Sequence, residues 1–325
     1  MKKSLARVAI FVVIGGLIWT GCSKKGSEPE PPKPFNQVVV NIYQSHPLPS
    51  GFALKLWAKV ADTGLAAVEQ PWVPLTRFNI NATGNLLDSN GVAITDNAIK
   101  NLPVNLDDYD SLEITIERLS SMVSVPSAVV LLHGKIPADL TNLHLPKLEF
   151  PHTFGEGQSA FMILSPTDTD TSDELSGVWF VSRDPAQADD SGLTLPPAPT
   201  GWIYEGWVRH LGSNLSTGRF QDPIGTDLDN PYCGPGAKPP FPGEDFLQNA
   251  PSGLGFTFPL TLARGDIISV ALEPDYSPGL GGYGVTVLST TLSGTIMPST
   301  LTLLDWTTAD SYPSAILDIK RSDAP

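Results

Sequence analysis

The sequence predicts an all-β protein made of two tandem antiparallel β-sandwiches with an immunoglobulin-like arrangement. Three observations support this prediction. Short runs rich in β-branched and aromatic residues recur about every 8–12 residues, as in sandwiches and barrels. Proline (31) and glycine (29) are spread along the 325 residues and interrupt helical patterns. A segment near residue 50 recurs near residue 200, and internal self-similarity indicates repeated structural units.

The internal repeat is clearest where a Pro-Ser/Thr-Gly turn precedes alternating residues. Its two copies are Pro49–Ala58 and Pro199–Val208, and each carries a Trp six positions after the glycine. Further matches pair Thr76–Phe78 with Gly218–Phe220, Tyr109–Arg118 with Gly265–Pro274, and Val130–Ile136 with Thr290–Ile296. The offset between copies changes, as surface-loop insertions would produce. We therefore expect one sandwich from residues 37–155 and a second from 156–325.

Ten segments have the composition and length of strands. A polar segment, residues 165–174, is expected to join two of them as a hairpin of the second sandwich. The ten segments are Gln37–Tyr43, Phe52–Val60, Leu112–Glu117, Ala128–Gly134, Ala160–Leu164, Val178–Ser182, Trp202–His210, Ile267–Glu273, Val285–Leu292 and Ala315–Ile319.

Residues 1–21 are predicted to be an export signal. Three basic residues precede the apolar run Val8–Trp19, and Thr20-Gly21-Cys22 follows it, which is the order found in secretory signals. The run is shorter than the roughly 20 residues of a membrane-spanning helix. Cys22 directly after Gly21 resembles the lipidated N-terminus of a bacterial lipoprotein. An ordinary signal peptide with an incidental cysteine is the alternative.

Residues 22–36 are predicted to form a tether between this lipid and the folded body. The stretch is rich in proline and charged residues, and proline-rich linkers adopt extended, semi-rigid conformations. We therefore expect a protein anchored to a membrane of the bacterial envelope through Cys22, at the periplasmic face or in the outer membrane. A purely disordered N-terminus would have the same composition but would not account for the cysteine.

The overall charge and the cysteine count restrict partners and cross-links. The formal net charge of −14 argues against nucleic acid as a partner. With Cys22 lipidated, Cys233 is the remaining cysteine, so no disulfide within the chain is expected. Cys233 is expected to be a small buried residue, with an intermolecular disulfide as the alternative.

Catalytic signatures are missing from the sequence. It contains no G-x-S-x-G, H-E-x-x-H, C-x-x-C or P-loop motif, so we expect a non-enzymatic protein without a cofactor. Weak calcium candidates are the closely spaced carboxylates of the hairpin turn, because calcium prefers such oxygen ligands. An ordinary polar turn is the favoured alternative. These residues are Asp168, Asp170, Asp173 and Glu174.

Four aromatic residues are candidates for a binding role. Alternation along the repeated strand places Trp57 and Trp207 on the face opposite the main apolar row. They are expected either to be covered within the fold, which is favoured, or to stack on a sugar or peptide. Tyr232 and Phe241 lie in the long segment 221–249, and long loops are often functional. An ordered insertion that caps the sandwich is the alternative.

Several short motifs of the second copy match one known domain; they are Leu195-Pro196, Pro199, Tyr204–Val208, Leu215–Phe220 and Ile268–Pro274. Through these residues the second copy resembles the extracytoplasmic domain of anti-sigma-K-type factors, and the first copy does so more faintly. The resemblance implies a compact β-sandwich outside the cytoplasmic membrane. Those regulators carry a sigma-binding segment and a membrane span before the sandwich, and this chain has neither. The resemblance therefore implies the fold more than sigma-factor control.

Together these features predict a lipid-anchored envelope protein acting as a non-catalytic binding or structural module, with an envelope protein or a glycan as partner. One alternative is an envelope regulator related to anti-sigma sensors. Another is a glycan-active enzyme that uses Glu117 and Glu273, which occupy equivalent positions in the two copies.

Overall fold

The computed structural model describes residues 32–60, 72–121, 124–141, 145–182, 190–276 and 284–322. The predicted signal, Cys22 and most of the tether lie outside these residues. Residues 34–325 form one compact unit, which is all-β in the part described and contains two antiparallel sheets. The sheets form two β-sandwich-like bodies, as predicted. No helix in the described ranges has the length and apolarity required to cross a membrane.

The described strands number seventeen. In chain order they are β1 (Gln37–Tyr43), β2 (Phe52–Val60), β3 (Trp72–Ile80), β4 (Leu86–Leu87), β5 (Ala98–Ile99), β6 (Tyr109–Arg118), β7 (Val130–Lys135), β8 (Lys147–Glu149), β9 (Ser159–Ile163), β10 (Gly177–Trp179), β11 (Trp202–His210), β12 (Ser213–Phe220), β13 (Gly243–Asp245), β14 (Ile267–Pro274), β15 (Val285–Thr291), β16 (Leu301–Trp306) and β17 (Ser314–Lys320). Each of the ten segments predicted as strands overlaps one of them.

The two sheets have the same strand order. The first runs β4-β3-β2-β6-β7-β8-β17-β1-β5, and the second runs β12-β11-β14-β15-β16-β9-β10-β13. Apart from β4, each strand of the first sheet has a counterpart at the same position in the second. Irregularities in strand pairing also coincide, at Leu56/Trp57 and Gly206/Trp207. The sequence repeat therefore corresponds to a repeat of strand order and register.

The C-terminal strand β17 departs from the predicted span 156–325 of the second sandwich, because it lies in the first sheet. It pairs with β1 on one side and β8 on the other, in the position that β9 occupies in the second sheet. Ala315 and Leu317 of β17 are fully buried in the main core. Strand β17 thus completes the first sheet, to which β1 also belongs.

The inner and outer faces of the repeated strands follow the predicted alternation. Leu54, Leu56 and Ala58 of β2 belong to the main core. In β11 the corresponding inward residues are Trp202, Tyr204 and Val208. Trp57 and Trp207 lie on the opposite face, because side chains alternate along a strand.

The two bodies are in contact beside the repeated strands. The ring of Tyr276, which follows β14, stacks on Phe52 of β2 with the centroids 5.1 Å apart. Its hydroxyl donates a hydrogen bond of 2.7 Å to the carbonyl oxygen of Ile116 in β6. This contact, together with the two strand-to-strand connections, links the two sheets.

Candidate functional site

A cavity of about 470 Å³ lies where the chain crosses between the sheets. One wall is the connection from β8 to β9, and the other is the connection from β16 to β17. We call this cavity the aromatic cleft, because Phe150, Phe154, Trp306 and Tyr312 are among the residues that line it. Its volume falls in the range of about 300–1,000 Å³ that is usual for small-molecule sites.

The aromatic rings of the cleft are partly exposed and pack against one another. Phe154 meets Tyr312 edge-on at a centroid distance of 5.7 Å. Phe150 lies 6.3 Å from Phe154 and 5.8 Å from the buried Trp202. Since Trp202 belongs to the main core, the cleft is built directly on the body of the second sheet. Aromatic pairs in such offset and edge-on arrangements stabilise each other.

Hydrogen bonds hold the second wall in place. The indole N–H of Trp306 donates to the carbonyl oxygen of Gly157 at 2.7 Å. The hydroxyl of Thr307 donates to the carbonyl oxygen of Thr286 at 2.6 Å, and its amide donates to Val287. A ligand would therefore meet rings that are already ordered, which lowers the entropic cost of binding.

Charged and polar groups surround the rings of the cleft. Lys147 and Glu149 form an exposed ion pair of 2.8 Å, and Asp310 lies on the opposite wall. The hydrogen bond and charge of Glu149 raise the pKa of Lys147. Burial lowers the pKa of His152, so its ring is neutral at pH 7. The cleft thus combines apolar ring faces with carboxylate, ammonium and hydroxyl groups.

The four aromatic residues predicted for binding do not come together in one site. Trp57 is fully buried, and its indole N–H donates to Thr115 at 2.8 Å. Trp207 is 9% exposed and lines a separate cavity of about 200 Å³. For Trp57 the structure agrees with the favoured expectation, a ring covered within the fold, and not with the alternative of a stacking platform.

The segment 221–249 is an ordered cap, which was the stated alternative to a recognition loop. Its Phe241 and Cys233 pack with Trp179 in a second, smaller apolar cluster. Phe241 is therefore not a binding residue open to solvent. Tyr232 is half-buried and packs edge-on against Phe258 at 5.4 Å. The segment also contributes strand β13, which pairs with β10.

Cys233 is buried, as expected from the sequence. Burial and the neighbouring Glu244 raise the pKa of its thiol. A raised pKa keeps the sulfur in the unreactive thiol form.

The four weak calcium candidates lie in a hydrogen-bonded polar turn, which the sequence favoured over a calcium site. Asp170 accepts bonds from the amide and hydroxyl of Ser172, which lower its pKa. Asp168 accepts the amide of Asp170, and Glu174 accepts the amide of Ser165. Burial raises the pKa of Asp173, and the charges of Asp168 and Asp170 raise it further. Among the described residues, no three His, Cys, Asp or Glu side chains converge as a metal site requires.

The sequence interpretation did not identify the cleft residues. The alternating aromatic side chains of Phe150, His152 and Phe154 are a local signal, but they lie in the expected boundary between the copies. Trp306 and Tyr312 are separated from them by about 150 residues in the chain. Only the crossing of the two connections brings these groups together.

Comparison with protein-family models, curated proteins and solved structures found no match for this chain. The resemblance to the anti-sigma-K-type domain therefore remains a prediction from the sequence.

Proposed function

We propose that this chain is an exported, lipid-anchored protein of the bacterial cell envelope that binds an envelope glycan without catalysing a reaction. The aromatic cleft is the observation that supports this proposal. Sugar rings present an apolar face of C–H groups and a rim of hydroxyls. Aromatic faces next to hydrogen-bonding groups, as in this cleft, match both features.

The export and anchoring part of the proposal is supported by the sequence of residues 1–36. A lipid on Cys22 followed by a proline-rich tether would hold the cleft away from the membrane surface. The cleft could then reach polymeric saccharides, while the anchor keeps the protein in place.

Radioactive palmitate is expected to label the wild-type protein in bacterial cells and not to label Cys22→Ala, because the thiol of Cys22 is the proposed attachment point. Cys233→Ala is the matched control and is expected to keep the label, since Cys233 is buried in the folded body. Labelling that persists in Cys22→Ala would remove the anchor from the proposal.

Glycan binding is expected to fall at least about tenfold in Trp306→Ala, because central aromatic residues carry much of the energy of such contacts. An array of envelope saccharides, including peptidoglycan fragments, identifies the tightest ligand, and calorimetric titration then measures its affinity. Trp72→Ala is the control, since Trp72 is a partly exposed Trp in β3 outside the cleft. Equal affinities for wild type and Trp306→Ala would refute the cleft as the binding site.

The proposal of a glycan-active enzyme receives less support from the two carboxylates that suggested it. Glu117 is buried and accepts hydrogen bonds from Thr115 and from the amide of Ser127. Glu273 is also buried, in the other sheet. Glycosidases use two carboxyl groups that flank one scissile bond, whereas Glu117 and Glu273 lie in different sheets.

A further inference from the structure

The outer faces of the two repeats carry opposite charges at equivalent positions. In the first sheet Lys55 is paired across the strands with Arg77 on one side and Thr115 on the other. In the second sheet the same position is Glu205, paired with Arg219 and Ala271. Two residues along β6 from Thr115 and along β14 from Ala271, both faces hold an acid at the equivalent position, Glu117 in the first and Glu273 in the second. The second face therefore replaces a cation with an anion.

The first face contains its own ammonium group. The Nζ atom of Lys55 lies 3.8 Å from the centroid of the Trp57 ring, which is a cation–π contact. The Trp57 indole donates to Thr115, and the Thr115 hydroxyl donates to Glu117 at 2.7 Å. Lys55, Trp57 and Glu117 are thus connected by direct contacts, with Thr115 between the tryptophan and the glutamate.

The second face has the tryptophan and the glutamate but no ammonium group in that place. A cavity of about 200 Å³ is lined by Trp207, Glu273, Ala271 and Gly284, with the exposed Arg209 also among its lining residues. Ala271 replaces the threonine of the first face, which removes a hydroxyl. A Cβ on Gly284 would collide with Oε1 of Glu273. The glycine therefore provides the space that the Glu273 carboxylate occupies.

Each of the two carboxyl groups at this cavity has, among the described residues, one oxygen without a hydrogen-bond partner, although the Ser216 hydroxyl donates to Oε1 of Glu205 at 2.7 Å. Glu205 is 1% exposed and Glu273 is 2% exposed. Within the described ranges, Oε2 of Glu205 and Oε1 of Glu273 have no hydrogen-bond partner. Arg219 is the cation next to both acids, but its Nη2 donates to the carbonyl oxygen of Asp275 at 2.6 Å. Buried carboxylates without full pairing are costly, and a bound cation would remove that cost.

We propose that the Trp207 cavity binds a primary ammonium group on a short alkyl stem, such as the side chain of lysine. The ammonium would lie over the Trp207 ring as Lys55 lies over Trp57, and it would donate a hydrogen bond to Glu273. Glu205 lies on the strand next to the cavity wall at Ala271 and supplies the second negative charge. The first repeat indicates this ligand chemistry, because there the side chain of Lys55 places an ammonium group over the equivalent tryptophan.

At about pH 9, where Glu205 and Glu273 are ionised and an alkylammonium group is still protonated, butylammonium is expected to raise the midpoint of thermal unfolding of the wild-type protein in a saturable manner, whereas 1-butanol at the same concentrations does not. Its affinity is expected to fall at least about tenfold in Glu273→Gln, because the variant loses a hydrogen bond between the ammonium group and an ionised carboxylate. Glu117→Gln, at the equivalent position of the first face, is the matched control and keeps the wild-type affinity.

Glu205→Lys provides an independent measurement, because it restores the residue of the first face. This variant is expected to unfold at a higher temperature than the wild type and to show no response to butylammonium. Nα-acetyl-lysine methylamide, if bound more tightly than butylammonium, would identify a protein lysine as the source of the group.

Three outcomes would overturn the proposal. One is an equal response of wild type and Glu273→Gln to butylammonium, and another is an equal response of the wild type to butanol. The third is a response to Ca²⁺ in place of the amine, which would indicate a metal site. If Glu205→Lys does not fold, the comparison between Glu273→Gln and Glu117→Gln decides.

Discussion

Leu317→Ala is expected to lower the free energy of unfolding by about 2–5 kcal/mol, the usual cost of removing a fully buried leucine side chain. Leu317 is 0% exposed and lies in β17, between β1 and β8 of the first sheet. The cavity left behind cannot collapse easily, because strands pair with β17 on both sides. Urea denaturation followed by circular dichroism measures the change.

Ile316→Ala is the matched control for this substitution. Ile316 is the adjacent residue of the same strand, but its side chain faces outward and is 36% exposed. Its replacement is expected to cost less than about 1 kcal/mol. A similar loss of stability in both variants would contradict the position of β17 inside the first sheet.

Hydrogen exchange would locate the damage caused by Leu317→Ala. The amides of β1 are expected to lose more protection than those of β11, because β1 pairs with β17 and β11 lies in the other sheet. Equal losses in the two strands would indicate that the two bodies unfold as one unit.

Glu273→Gln is expected to stabilise the protein at pH 8 and to have little effect at pH 4. Burial and, as the second cause, the charge of Glu205 raise the pKa of Glu273 from 4.5 to about 8. In the unfolded chain this carboxyl ionises near pH 4.5, whereas in the folded chain it stays protonated up to about pH 8. The folded state therefore loses stability as the pH rises through this interval, and glutamine removes the loss.

The gain at pH 8 is expected to be roughly 2–4 kcal/mol, because each unit of pKa shift corresponds to about 1.4 kcal/mol and a buried amide offsets part of it. Thermal unfolding at pH 4, 6 and 8 measures the effect. Glu149→Gln is the control, since Glu149 is exposed. The difference in unfolding temperature between this variant and the wild type is expected to be the same at all three pH values. A Glu273→Gln variant that is less stable than wild type at pH 8 would contradict this account.

The strands and their faces could be predicted because the signals are local. Phe52–Val60 and Trp202–His210 were predicted with the bounds that the structure shows, since alternation and a preceding glycine turn mark them directly. β3 was missed because it contains Pro74, which argues against a strand. Pro74 is exposed where the pairing of β2 with β3 is irregular, a place where proline is tolerated.

The candidate sites could be predicted only in part. The repeat placed Trp57 and Trp207 at equivalent positions, and the structure bears out that equivalence. The strand pattern could not predict that Trp57 is fully covered while Trp207 lines a cavity. One such difference lies in the neighbouring strand: the hydroxyl of Thr115 accepts the indole N–H of Trp57, whereas Ala271 at the equivalent position has no hydroxyl.

By itself, the sequence determined the all-β class, the strand faces and the repeat, because period-two alternation and turn residues act over a few neighbouring positions. Only the tertiary structure decided that β17 returns to the first sheet and that Phe150 and Tyr312 share a cleft. Pairing between distant segments depends on which edges and apolar faces remain open once the other strands have packed. That information belongs to the whole fold and to no single stretch of the chain.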